Sequence, residues 1–121
     1  MYTIRKEFHF SAAHRLVGLP PEHPCGNVHG HNYKVTLELV SIKLNTNGFV
    51  VDYRQLQPVK EWIDEHLDHK LLNDCMVNTP TAENIAKMLF MQFKPRFPQL
   101  TAVEVSETEK TTARYMSDYD E

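Results

Sequence analysis

The stretch that most constrains this chain is Cys25-Gly26-Asn27-Val28-His29-Gly30-His31-Asn32-Tyr33, which places a thiol and two imidazoles within the seven residues from Cys25 to His31. The residues that follow, Tyr33 to Val40, alternate apolar and polar with period two. That alternation predicts a half-buried strand. Successive strand side chains point to opposite faces, so His29 and His31 share a face with Tyr33, Val35, Leu37 and Leu39. Two neutral imidazoles at the start of a buried face are costly unless something uses their ring nitrogens, and zinc is the commonest user. Gly30 between them marks a bulge or a close backbone approach.

The chain has 121 residues, enough for a real core, and reads as one domain over 1–121. The net charge of −3 implies no polyanion-binding surface, so neither nucleic acid nor membrane is an expected partner. No apolar run is long enough to span a membrane, and the first residues, Met-Tyr-Thr-Ile-Arg-Lys-Glu, carry no apolar signal core. The expected location is the cytoplasm. The two cysteines, Cys25 and Cys75, are expected as free thiols.

Residues 2–12 put Tyr2, Ile4, Phe8, Phe10 and Ala12 on one face, with Lys6 the exception, and predict a first strand. Continued past Ala13, the same phase turns His14 inward. Residues 17–28 hold three prolines and two glycines and form a loop that carries Cys25. Asn47-Gly48 marks a tight turn after the second strand. Asp52 and Gln55 resemble a helix start, and Leu56, Val59, Ile63 and Leu67 recur at helical spacing across 53–67. Pro58 should fall in the first turns of that helix or kink it. A second helix starts around Thr79 to Asn84, with Pro80 near its first turn and an inward stripe of Ile85, Met88, Leu89, Gln92 and Phe93. Leu100 to Thr108 and Thr112 to Met116 read as two further strands, and Ser117 to Glu121 as a frayed acidic tail. The order β-β-α-α-β-β is an α+β pattern with antiparallel pairs.

His14, His29 and His31 would form a three-histidine set with an open fourth position, the pattern of a catalytic metal site. The alternative is a surface His14 and a merely polar His-x-His pair. A metal-binding cupin would need a glutamate close behind that pair, and Glu38 is too far along and on the opposite face. Cys25 is either a structural thiol or a proton carrier beside the cation. Glu107 continues the inward phase of Thr101, Val103 and Val105. It is either a buried ion-pair partner or the acceptor for a ligand with adjacent N–H donors. Asp68-His69 is either a polar corner or an imidazole made more basic by its carboxylate neighbour. His9, His23 and His66 are expected at the surface, and Cys75 as an ordinary thiol.

Five segments, taken in order, resemble the 6-pyruvoyl-tetrahydropterin synthase / 6-carboxy-tetrahydropterin synthase family. They are Phe10 to Leu16, Cys25 to Tyr33, Leu67 to Asn73, Pro80 to Asn84, and Glu107-Thr108. The resemblance implies the tunnelling fold (T-fold), whose β-β-α-α-β-β subunits assemble into barrels as a homohexamer of two trimers. It implies active sites at subunit interfaces, with Zn2+ on His14, His29 and His31. It further implies a proton-transfer set of Cys25, Asp68 and His69, the last two reaching the cysteine of a neighbouring subunit. Glu107 would anchor the pterin, and Thr81 would be a second contact. The three residues between Cys25 and His29 resemble the carboxy-tetrahydropterin synthases of queuosine biosynthesis rather than the animal pyruvoyl enzymes, which carry a longer insert. The implied reaction turns 7,8-dihydroneopterin triphosphate into 6-carboxy-5,6,7,8-tetrahydropterin, releasing acetaldehyde and triphosphate. Alternatives are a pyruvoyl synthase, a related side-chain lyase, or a zinc-containing pterin-binding module without turnover. Two departures stand out. Tyr115-Met116-Ser117 replaces the family's Tyr-basic-Gly, which leaves Arg15 or Lys110 as candidate triphosphate contacts. Ala82 stands where some relatives have a hydroxyl.

Overall fold

The structure, a computed structural model, describes residues 1–118. Two long strands, β1 (Tyr2–His14) and β2 (His29–Ser41), open the chain, followed by helices α1 (Gln57–His66) and α2 (Ala82–Phe93). Strands β3 (Leu100–Thr108) and β4 (Thr111–Met116) close it. The sheet is antiparallel throughout, in the order β1-β2-β3-β4. This is the expected α+β arrangement.

Alternation builds the core. Tyr33, Val35, Leu37 and Leu39 of β2 are all fully buried, as are Val103 and Val105 of β3, while Phe8, Phe10 and Ala12 of β1 are nearly so. The helices cover this face through Val59 and Ile63 of α1 and Ile85, Leu89, Phe90 and Phe93 of α2. Burying each such side chain contributes roughly 1.5–3 kcal/mol. The opposite face carries charge: Arg5, Glu38, Glu104 and Arg114, one from each strand. Arg5 reaches Glu38 at 3.0 Å and Glu104 at 2.6 Å, and Arg114 reaches Glu104 at 2.7 Å and Glu38 at 2.5 Å.

Several details differ from the sequence expectation, each for a local reason. The 53–67 helix is divided: a 3-10 turn, Tyr53–Leu56, precedes α1. Asp52 caps the turn by accepting from the Arg54 N–H, and Pro58, which has no N–H to donate, falls in the first turn of α1. On α2, Gln92 is exposed, and Ala86 and Phe90 are buried in its place. The helix packs on both β3 and β4, and its buried stripe is turned towards Ala86 and Phe90. Pro80 precedes the α2 cap, Thr81, whose hydroxyl accepts from the Asn84 N–H at 3.2 Å. Ser117 is tied by its N–H to the Thr101 carbonyl at 3.1 Å, and the rest of the expected tail, 119–121, lies outside the described residues. No helix among the described residues is long and apolar enough to cross a membrane.

Leu37→Ala should lower unfolding stability by about 2–5 kcal/mol, whereas Lys60→Ala on the exposed face of α1 should stay within about 0.5 kcal/mol. Urea denaturation of both variants checks the contrast.

Candidate metal centre

The pairing of β1 with β2 runs without interruption from Tyr2 opposite Ser41 to His14 opposite His29, with Ala12 opposite His31. The register therefore delivers three imidazoles to the same end of the buried face. One ring nitrogen from each of His14, His29 and His31 lies within 4.8 Å of the others.

The hydrogen bonds fix which nitrogens are available. His14 Nδ1 lies 2.7 Å from the Pro80 carbonyl, and His29 Nδ1 lies 2.8 Å from the Asn27 carbonyl. A carbonyl can only accept, so both Nδ1 atoms carry hydrogen and both Nε2 atoms present lone pairs in the neutral rings. Those two Nε2 atoms face each other at 2.9 Å. Two lone pairs at that separation repel unless a cation lies between or beside them. His31 Nε2 is buried with no hydrogen-bond partner among the described residues. Burial lowers the His31 pKa, and the neighbouring His14 and His29 act in the same direction, while the Glu107 charge opposes them. Two rings with Nδ1 held by carbonyls and Nε2 turned to the cluster, and a third whose Nε2 is buried beside them, suit a transition metal. The donor set fits a metal with an open position.

From the sequence Tyr33 is a core residue on the inward face of β2; the structure also sets it beside the histidines. Its hydroxyl lies 3.2 Å from His14 Nδ1, on the side away from the converging nitrogens. Burial pushes the phenol pKa up, with the Glu107 charge adding to it, so the ring stays neutral behind the centre. The signal was available: Tyr33 stands two residues past His31 on the same face.

Glu107 lies where β2 and β3 part. Their pairing reaches only to Lys34 opposite Ser106, and a register shift between Val105 and Thr108 interrupts the pairing of β3 with β4. Such irregularities re-aim side chains. Glu107 Oε2 sits 3.7 Å from His31 Nε2, too far for a hydrogen bond, and the carboxylate is about a quarter exposed. A groove of about 610 Å³ opens here, lined by His31, Glu107, Lys34 and His9 among others. A second groove of about 570 Å³ shares Gly30, His31 and Asn32 with the first and reaches His69 and Lys70. Arg15 and Lys110 line neither groove; Lys34 and Lys70 are the lysines that do.

Cys25 is half-buried on a short turn, Pro24–Gly26, capped by His23, whose Nδ1 accepts from the Cys25 N–H at 3.1 Å. His23 is exposed as expected, yet it shapes the thiol's turn. Cys25 and Cys75 are both free. Asp68 Oδ1 accepts from the Ser11 N–H at 2.9 Å, and Oδ2 lies 2.8 Å from His69 Nδ1. The Ser11 N–H, with His69 beside it, holds the Asp68 carboxyl below its usual range. His69 adopts φ 58°, an uncommon conformation for a non-glycine residue, and its side chain is 81% exposed. The structure thus brings His14, His29, His31 and Glu107 together. It pairs Asp68 with His69 and gives the Cys25 side chain no hydrogen-bond partner among the described residues.

Residues 3–118 match the 6-pyruvoyl tetrahydropterin synthase family. The chain belongs to that family. A Synechocystis relative named 6-carboxy-5,6,7,8-tetrahydropterin synthase is 37% identical over 126 residues, covering 97% of this chain and 95% of its own. One of the same name from Rickettsia felis is 31% identical over 116 residues, covering 79% of this chain and 83% of its own. The solved structure of Caenorhabditis elegans 6-pyruvoyl tetrahydropterin synthase superposes with a TM-score of 0.85 at 28% identity, over 97% of this chain and 96% of that one. The chain therefore has the T-fold of the tetrahydropterin synthases, an enzyme family acting on pterins, and its three-histidine cluster is placed to hold a metal ion.

The metal-free protein should lose stability as pH falls from about 7 towards 5. The sign follows from the lowered His31 pKa: the unfolded chain takes up this proton at higher pH than the folded one, so acid favours unfolding. Thermal melts across that range check it. His31→Ala should abolish stoichiometric divalent-metal binding and His9→Ala should not, as read by chelator competition.

Proposed function

We propose that the chain is a zinc-dependent 6-carboxy-5,6,7,8-tetrahydropterin synthase. It would convert 7,8-dihydroneopterin triphosphate to 6-carboxy-5,6,7,8-tetrahydropterin, releasing acetaldehyde and triphosphate, in queuosine and 7-deazapurine biosynthesis. The observation that carries this reading is the His14-His29-His31 cluster, whose His31 lines one groove together with Glu107 at 3.7 Å from it, in a chain whose relatives bear that name.

Each residue has a role that its surroundings support. The Glu107 carboxylate, without a hydrogen bond of its own among the described residues, accepts from the pterin amino and ring N–H groups. The Thr81 hydroxyl already accepts from Asn84 and keeps its O–H to donate, which suits a second pterin contact. His14, His29 and His31 hold zinc, favoured by three nitrogen ligands and an open position. Bound there, zinc supplies Lewis acidity to the hydroxyl oxygens of the substrate side chain. Cys25, as thiolate, moves one proton. His69, oriented by Asp68, moves another. The exposure of His69 suits delivery to the cysteine of a neighbouring subunit. β4 and β1, the latter up to Phe10, where the Asp68 to Asn73 segment has not yet joined it, are the edges of the sheet, which suits strand pairing between copies into a barrel, as a hexamer of two trimers.

Incubating the zinc-loaded protein with dihydroneopterin triphosphate and analysing products by mass spectrometry tests the assignment. Carboxy-tetrahydropterin with acetaldehyde is the expected result. A pyruvoyl product moves the reaction to the neighbouring branch of the family, and tight pterin binding without conversion makes the chain a binding module. Cys25→Ala should keep zinc and pterin affinity while losing most turnover, by about 100-fold or more. Glu107→Gln should weaken pterin binding and leave zinc content unchanged; loss of zinc in this variant would assign the carboxylate to the metal centre instead.

A further inference from the structure

The segment Asp68 to Asn73 runs beside the outer edge of β1 and takes up its backbone groups at alternate residues. The Ser11 N–H donates to Asp68 Oδ1, and the Ser11 carbonyl accepts from the His69 N–H at 2.6 Å. The Ala13 N–H donates to the Lys70 carbonyl at 3.0 Å, and Ala13 forms a parallel bridge with Leu71. Two residues further along, the partner becomes a side chain. Asn73 Oδ1 accepts from the Arg15 N–H at 2.8 Å, and Asn73 Nδ2 donates to the Arg15 carbonyl at 2.7 Å. The next amide, Leu16 N–H, donates to the Cys25 carbonyl at 2.9 Å.

Arg15 is exposed and lies just past the end of β1, where water could satisfy its backbone. A carboxamide makes both bonds instead, as a neighbouring strand would, because it carries a donor and an acceptor on one planar group. The carboxamide is itself held in place: Asn73 belongs to the 3-10 turn Leu72–Asp74, which is anchored by the fully buried Leu72. The loop that leaves at Arg15 holds three prolines and two glycines over 17–28, and its backbone carries the Cys25 turn.

We propose that Asn73 is a positioning residue for the Cys25 thiol. By clamping both backbone groups of Arg15 it fixes the departure of the loop, and the Leu16–Cys25 bond passes that constraint to the turn that bears the sulfur. The proposal rests on the proton-transfer role given above to Cys25. The same segment holds Asp68 and His69, so one ladder of hydrogen bonds along β1 sets both the Cys25 loop of this chain's site and the imidazole assigned above to a neighbouring subunit.

The test uses the zinc-loaded full chain with Asn73→Ala and Asn73→Asp, the second keeping the acceptor for Arg15 N–H and losing the donor. Amide hydrogen exchange in peptides spanning 15–25 should quicken by about tenfold in the alanine variant, with α2 unchanged. Zinc stoichiometry should hold, KM should stay within about twofold, and kcat should fall by about 10- to 100-fold, with the aspartate variant between wild type and alanine. Unchanged exchange overturns the clamp. Faster exchange with unchanged kcat overturns the positioning of Cys25. Loss of zinc along with activity also overturns it, since Asn73 would then be holding His14. If the wild type turns over no pterin triphosphate, the proposed function fails, and Cys25 alkylation, resolved from Cys75 by peptide mass spectrometry, judges the clamp alone. A change of about threefold or more supports it and an unchanged rate overturns it.

Discussion

The register between β1 and β2 is the constraint on which the rest of the molecule depends. Phe8 opposite Val35 and Phe10 opposite Tyr33 set it, the last two with rings stacked 4.7 Å apart. The same ladder, carried on without a bulge, places Ala12 opposite His31 and His14 opposite His29. A slip of one residue would turn the whole set to the other face. The apolar contacts that stabilise the sheet are thus the contacts that align the imidazoles. The three-histidine cluster is the polar end of the core, built on two strands that burial holds rigid.

From that centre outward, each layer orients the one inside it. The Pro80 and Asn27 carbonyls decide which histidine nitrogens are free, and the Tyr33 ring closes the rear. The Pro80 contact ties the approach to α2 to the end of β1, while the Asp68 to Asn73 segment ties the chain after α1 to the same strand. Both helices are therefore anchored through the site as well as through the core. Glu107 enters from the far side of β2 because β3 diverges from β2 past Ser106 and leaves room for a groove there.

Much of this was legible in the sequence because it is written in periodicity. The inward face of β2, the phase that turns His14 inward and the shared face of His29 and His31 all follow from a spacing of two. What the sequence could not show depends on contacts between distant segments. Nothing near Asn73 announces that its amide will meet Arg15, and nothing near Pro80 announces that its carbonyl will meet a histidine. Glu107 was legible as a carboxylate in an inward phase, but its distance from His31 depends on a register shift that no periodicity records. Gln92 has the spacing of the α2 stripe yet is exposed, because which face a helix buries is decided by the strands beneath it. The break between Leu56 and Gln57 was signalled by Pro58, although not as a 3-10 turn.

The charge quartet on the outer face of the sheet bears on how this chain can change over generations. Each carboxylate is shared by two arginines, and the four positions come from four strands, with Arg5 and Glu104 99 residues apart in the chain. Glu38 and Glu104 are mostly covered, so removing either arginine leaves a half-desolvated anion short of a partner, and removing either carboxylate leaves two guanidiniums facing each other. Single substitutions at these four sites pass through a destabilised state, whereas exchanges that keep the pattern of signs do not. The quartet should therefore drift as one heritable unit, even though its members are scattered from the first strand to the last.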